Sequence, residues 1–251
     1  MDLENIINSP TYRHAETVSK LARLLDHFYV VYVRGTPSTG KTTLAKLLKK
    51  HYQARGSQHV ALLTGWTNDP VRGDPLEHLA LRSKLDKVDS ENVLDVNAVY
   101  LMDEAHATYD DLQFWLIAVK GQSDRRAGAK ICLFSSYGSP TTGSTAPLAF
   151  KSTPLHLGPA QRVSLTVSQI KNSPDIALFY NAREYEDVIQ RLCSRSSTTC
   201  EFSRQAKDYL FAITSGHAGA TTSMVTYVYD VNNYSLFVIH HAGFHKLINY
   251  I

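Results

Sequence analysis

Val18, Leu21, Leu24, Leu25 and Phe28 recur at helical spacing, and the run Tyr29-Val30-Val31-Tyr32-Val33 behind them is β-branched and aromatic up to Gly35. The pattern predicts a helix over 17–28 followed by a buried strand. A second helix is expected from Lys41 to about residue 51, and a second strand over 59–63. A polar, Pro-containing stretch over 65–75 precedes a helix at 76–85. The third strand is expected over 98–102, followed by a helix whose apolar stripe is Leu112, Trp115, Leu116 and Val119. The fourth strand spans 130–134, a loop rich in Ser, Thr, Gly and Pro covers 135–147, and a short fifth strand is expected near 153–157. From Ser173 onward the pattern turns helical, over 183–193, 203–213 and 218–231. Alternating helices and strands predict an α/β domain with a parallel sheet, followed by a helical C-terminal part. The division is expected at 15–165 for the core and 166–251 for the helical extension.

Between the first strand and the second helix, Gly35-Thr36-Pro37-Ser38-Thr39-Gly40-Lys41-Thr42 matches G-x-x-x-x-G-K-[ST] at every fixed position. Residue frequencies alone would produce roughly 0.006 such matches in the chain, before the strand and helix context is required. Glycines let the backbone wrap phosphates with its N–H groups, and the helix amino terminus turns a positive dipole end toward them. Lys41 is the candidate for the β and γ phosphates and the Thr42 hydroxyl for Mg²⁺, while Thr43 is expected to pack or cap beside the cradle. The motif therefore predicts binding of a nucleoside triphosphate, with ATP and Mg²⁺ as cofactors.

The third strand ends in two acids, Val99-Tyr100-Leu101-Met102-Asp103-Glu104. A strand tip that presents both carboxylates to one phosphate suits hydrolysis, with Asp103 on the metal side and Glu104 as the general base. His106 completes Asp-Glu-Ala-His, the string of one helicase class. About 145 residues follow it, too few for a second motor domain, and His106 is expected at the start of a helix or in a polar contact. Ser135 and Ser136, at the end of the fourth strand, are both candidates to sense the γ phosphate. Arg125, Arg126 and Arg162 are candidates for a transition-state arginine, although solvation at the surface explains each as well. If that arginine comes from a neighbouring subunit or partner domain, the isolated chain hydrolyses slowly.

Composition narrows the partners. The 251 residues carry 26 Lys and Arg against 23 Asp and Glu, a formal charge of +3, so nucleic acid would have to be met by a partner domain or a local basic face. With 43% hydrophobic residues the chain buries a full core without disulfides. Cys132, Cys193 and Cys200 cannot all pair, which fits reduced surroundings. The acidic start Met1-Asp2-Leu3-Glu4 shows no secretion signal and no segment reaches membrane-spanning length, so a cytoplasmic or nuclear location without membrane contact is expected.

Three strings together resemble the P-loop ATPase region of Crinkler-type effector proteins of fungi and oomycetes: residues 33–45 around the phosphate loop, Leu133-Phe134-Ser135-Ser136-Tyr137-Gly138-Ser139-Pro140, and Thr214-Ser215-Gly216-His217-Ala218-Gly219-Ala220. The similarity runs in the same order from about residue 15 to 230. It implies a P-loop NTPase three-layer sandwich of the additional-strand, catalytic-glutamate type, with the fourth strand between the phosphate strand and the Asp103 strand. It also implies the roles above for Lys41, Thr42, Asp103 and Glu104. In such proteins the ATPase is often coupled to a nuclease domain, and effector members act in the host nucleus. Here no Lys stands two residues after an Asp or Glu, so the D/E-x-K element of that nuclease is absent from this sequence and the chain is expected to be the ATPase part alone or a truncated member.

Other patterns carry less. Ser215-Gly216-His217-Ala218-Gly219 reads as a nucleotide-sensing hinge or as a plain glycine-bearing helix connection, the latter being the commoner case. His240, His241 and His245 have no Cys or carboxylate beside them, and no zinc site is expected. The aromatic tail over 227–250 suits packing, or docking of a missing domain, better than base stacking. The leading expectation is Mg²⁺-dependent ATP hydrolysis that regulates an attached or partner activity. The alternatives are a nucleotide-gated interaction module with negligible hydrolysis, and a small-molecule kinase, which the water-activating Glu104 disfavours.

Overall fold

The computed structural model describes residues 12–56, 59–66, 74–84, 89–136, 155–194 and 202–228. Contacts divide the chain into two compact units, Met1–Leu178 and Phe179–Ile251. The division from sequence was placed after residue 165; Leu165, Ile176 and Leu178 instead pack into the core of the first unit.

In the first unit α1 (Tyr12–Phe28) leads into β1 (Val30–Gly35), α2 (Lys41–Ala54) and β2 (His59–Thr64). Then come α3 (Pro75–Ser83), β3 (Ala98–Asp103), α4 (112–125) and β4 (Lys130–Ser136), with β5 (Arg162–Val163) last. The strand order is β2-β3-β4-β1-β5, and every pairing is parallel. β4 thus lies between the phosphate strand β1 and the acid strand β3, the arrangement of an additional-strand P-loop NTPase.

Alternation along the strands sorts the core into two faces. Val31, Val33, Val99, Leu101, Cys132 and Phe134 pack with Leu21, Leu25, Leu44 and Leu48 of α1 and α2. Val30, Tyr32, Tyr100, Met102, Ile131 and Leu133 pack on the other side with Leu79, Phe114, Trp115 and Val119 of α3 and α4. Helices on both faces of a fully buried parallel sheet make the three-layer sandwich, and each such apolar side chain contributes roughly 1.5–3 kcal/mol.

At the end where β1 and β4 begin, Asp26 accepts hydrogen bonds from Lys130 (2.7 Å) and Arg55 (2.8 Å), with the Tyr52 hydroxyl 3.0 Å away. Burial pushes the Asp26 carboxyl up, but Lys130 and Arg55 outweigh it and hold the group below the usual carboxylate range. The cluster ties α1, α2 and β4 together.

Two expectations need correcting. The fifth strand is Arg162–Val163, paired with Tyr32 and Val33, and not the segment near 153–157. Residues 153 and 154 lie outside the described residues, while Leu155 and Leu157 pack on the core without strand pairing. α4 buries Trp115 and Val119 of the expected stripe but not Leu112 and Leu116. Its middle, Phe114–Lys120, is wound as a π-helix, which buries Phe114, Trp115, Ala118 and Val119 and leaves Leu112, Leu116 and Ile117 exposed.

The second unit contains α5 (Ala182–Ser194), α6 (Arg204–Thr214) and α7 (218–228) around Tyr185, Ile189, Leu210 and Val225. Asn181 and Glu184 cap α5 reciprocally, each side chain accepting from the other's backbone N–H at 3.0 Å. Ser203 caps α6 through the Ala206 N–H. The Ser215-Gly216-His217 segment is a helix connection. A Cβ on Gly216 would stand 2.3 Å from the Tyr180 carbonyl oxygen, and His217 Nδ1 accepts from the Ala220 N–H at the start of α7. Among the described residues no helix is long and apolar enough to cross a membrane.

Candidate functional site

The phosphate loop leaves β1 and enters α2 at the carboxyl ends of the strands. Ser38 (φ 62°) and Gly40 (φ 84°) both take left-handed conformations, which turns the loop back over the start of α2. Glycine permits this at position 40, whereas at Ser38 a side chain bears the strain. The Thr39 hydroxyl, on a residue only 2% exposed, donates to the Thr36 carbonyl at 2.8 Å and closes the loop internally. Gly35 has no room for a larger residue: a Cβ there would meet Leu178 Cδ1 at 2.4 Å and Thr39 Oγ1 at 2.7 Å. Pro37, Ser38 and Thr42 are exposed, while Thr36, Gly40 and Thr43 are half-buried.

Lys41 is 6% exposed, and its ammonium donates to the carbonyls of Gly35 (3.2 Å) and Thr36 (2.7 Å). Burial pushes its pKa down, and the Glu104 and Asp103 carboxylates oppose that shift. The loop lysine and the two strand-tip acids therefore share one electrostatic environment.

Asp103 closes β3 and is 5% exposed; its Oδ1 accepts from the Glu104 N–H at 3.1 Å. Glu104 takes a left-handed conformation (φ 55°) that breaks the strand and starts a short turn, Ala105–Thr108. Its side chain is half exposed, with His106 Nδ1 3.3 Å from Oε2. His106 lies in a 3₁₀ turn, the helix-start position expected of it, and its Nδ1 makes no hydrogen bond there. Asp103 lies two residues beyond Leu101 in the strand, on the face covered by α1 and α2 that also holds the phosphate-loop helix.

The same alternation separates the two serines. Ser136 pairs with Gly35 across the ladder and shares the face of Cys132 and Phe134, so it borders the phosphate loop on the α2 side. Ser135 belongs to the opposite face, is fully buried, and lies 2.8 Å from the Tyr109 hydroxyl. Ser136 is the serine placed beside the loop.

The candidate arginines are scattered. Arg125 pairs with Asp95, and Arg126 stacks over the Phe28 ring, both at the amino ends of the strands, about 20 Å from the phosphate loop by strand length. Arg162 lies in the edge strand β5 beside Tyr32. At the carboxyl ends, Arg82 of α3 donates to the Thr64 and Gly65 carbonyls and braces the tip of β2. Sequence reading passed over both Arg82 and Tyr109, since an arginine in the last turn of a helix and a tyrosine after a turn carry no motif.

Tyr137, Cys200, His240, His241, His245 and most of the aromatic tail lie outside the described residues. Among the described residues no His, Cys, Asp and Glu cluster has the form of a metal site. Cys132 is a free, buried thiol.

No protein-family model and no curated protein sequence matches the chain. Some solved structures align with it at low similarity. Three variant forms of RuvB from Thermotoga maritima align over 86% of this chain and 61 to 62% of theirs, with 17% identity and TM-scores of 0.41 to 0.42. The replication initiator DnaA bound to AMPPCP and single-stranded DNA aligns over 90% of this chain and 63% of its own, with 14% identity and a TM-score of 0.45. The chain thus spans less than two thirds of each of these proteins. These likenesses are remote, and the P-loop NTPase fold rests on the parallel strand order β2-β3-β4-β1-β5 and on the loop between β1 and α2.

Proposed function

We propose that the chain binds a nucleoside triphosphate, ATP, with Mg²⁺ and hydrolyses its γ phosphate. The observation that carries this reading is the placement of three groups at the carboxyl ends of the strands: buried Lys41 closes the loop after β1, while Asp103 ends β3 and Glu104 follows it, two strands away in the same sheet. Loop N–H groups and the amino terminus of α2 cradle the phosphate oxygens, and Lys41 exchanges its two carbonyl partners for them. The oxygen donors present, the exposed Thr42 hydroxyl and the Asp103 carboxylate, fit a hard divalent cation that also takes phosphate oxygens. Bound there, Mg²⁺ would neutralise charge developing on the phosphates. Glu104, half exposed at the strand tip, accepts the proton of the attacking water, and Ser136 reads the γ phosphate from β4.

Arg125 and Arg126 are engaged at the far end of the sheet, which supports a transition-state arginine supplied by a second chain or a partner domain. The three strings shared with Crinkler-type effectors support a cycle that regulates an attached or partner activity, in the cytoplasm or nucleus.

The test is phosphate release from ATP by purified protein, with binding of a nonhydrolysable analogue measured in parallel. Wild type should turn over with Mg²⁺, Lys41→Ala should lose binding, and Glu104→Gln should bind but stall. Equal turnover in wild type and Glu104→Gln would refute the role of Glu104. Transfer of phosphate to an added acceptor instead of water would replace hydrolysis by a kinase reaction.

A further inference from the structure

Behind the strand tips three hydroxyls form a chain. Tyr109 lies 2.8 Å from Ser135 Oγ and also contacts the Tyr32 hydroxyl. Tyr32 and Ser135 are fully buried, on the sheet face away from the phosphate loop. Burial pushes the Tyr109 phenol up, so it is protonated and able to donate at neutral pH. Polar groups in such a setting are costly unless they satisfy one another, and phenylalanine with alanine would fill the same space.

Tyr109 also closes the turn that Glu104 opens. Its N–H donates to the His106 carbonyl at 3.2 Å, and the Ala107 N–H donates to the Glu104 carbonyl at 2.9 Å. Thr108 Oγ1 donates to the Ala105 carbonyl, and the Trp115 indole N–H reaches Thr108 from below. The Tyr109 ring meets Trp115 edge-on at 5.7 Å. The turn is therefore a braced unit, and the link from Tyr109 to Ser135 joins it to the tip of β4. The next residue on that strand, Ser136, pairs with Gly35 at the root of the phosphate loop.

We propose that Tyr109 is a positioning residue: its hydroxyl, held by Ser135, ties the Glu104 turn to β4 and so sets Glu104 relative to Ser136 and the γ phosphate. This rests on the triphosphatase reading above. Tyr109 touches no nucleotide; it acts through the spacing of two elements that do.

The test uses Tyr109→Phe, Ser135→Ala and the double variant, measuring kcat for phosphate release, Kd for a nonhydrolysable ATP analogue, and Tm. Each single variant should lose about tenfold in kcat, the rate equivalent of one hydrogen bond, with Kd unchanged within about twofold. The double variant should be no slower than either single one, because both remove the same link. A triple variant that adds Tyr32→Phe should keep nearly the wild-type Tm, since all three hydroxyls are then gone together, and it carries the test if a single variant folds poorly. Unchanged kcat in every variant, with wild type turning over, would overturn the inference alone. So would a double variant slowed about a hundredfold, the product of two independent losses. Wild type that binds no nucleotide would overturn the triphosphatase reading and this inference with it.

Discussion

Replacing Gly35 by alanine adds one methyl at the root of the phosphate loop, and its consequences follow from two contacts. Leu178 Cδ1, 2.4 Å from the new Cβ, is the end of a flexible side chain and moves at modest cost. Thr39 Oγ1, at 2.7 Å, belongs to a buried residue bonded to the Thr36 carbonyl, so it yields only by breaking that bond or shifting the loop. Overpacking of this size costs about 1–3 kcal/mol and the hydrogen bond about 1 kcal/mol more. The sum lowers Tm by about 5–10 °C for a unit of this size. A shifted loop also misaligns N–H donors to phosphate, and one charge-assisted bond lost weakens nucleotide binding about tenfold or more. The assay is thermal unfolding together with titration of a fluorescent ATP analogue. Leu25→Ala, in the core at the other end of the sheet, is the control: it should cost about 2–5 kcal/mol while leaving Kd in place. Gly35→Ala with wild-type Kd and Tm would refute the steric reasoning.

Three further outcomes are expected. Asp26 is held below its usual pKa in the folded chain, so its contribution is present above the unfolded value of about 3.9 and is lost as pH falls through the folded value. Asp26→Asn should therefore lower Tm at neutral pH, and its gap from wild type should shrink as pH falls below about 4, as thermal melts across pH would show. Cys132 is fully buried and its thiol is pushed well up by burial, so alkylation of native protein near neutral pH should leave the Cys132 peptide unmodified until the chain is unfolded, read by mass spectrometry. Ser203→Ala removes the cap on α6 and should cost about 1 kcal/mol, seen as faster amide exchange in the first turn of that helix.

Much of the site was legible because its signals are local. Gly35 to Thr42 lie on one stretch of chain, and the strand before them is apolar at every position but the last two. Asp103 and Glu104 were visible as acids ending an apolar run. What escaped depends on pairing and winding. β5 is two residues of mixed polarity whose strand character comes from Tyr32 and Val33 beside it. Leu155 and Leu157 carried the alternation of a strand, yet they pack on the core, Leu157 buried and Leu155 partly so, without ladder bonds. In α4 the buried face is rotated from the expected stripe: Phe114 and Ala118 join Trp115 and Val119 inside, while Leu112 and Leu116 are exposed. Ser135 and Ser136 were equal candidates in sequence, and only the face of the sheet on which each lies distinguishes them.

The strand inserted between β1 and β3 acts as a ruler. Neighbouring strands stand about 4.8 Å apart, so the root of the phosphate loop and the strand that ends in Asp103 are separated by about 10 Å. On the triphosphatase reading proposed above, that interval is the room for a terminal phosphoryl group and its acceptor. The interval is fixed by backbone hydrogen bonding, the least mutable spacing the fold possesses, so a side-chain substitution in the loop or the acid pair leaves it in place.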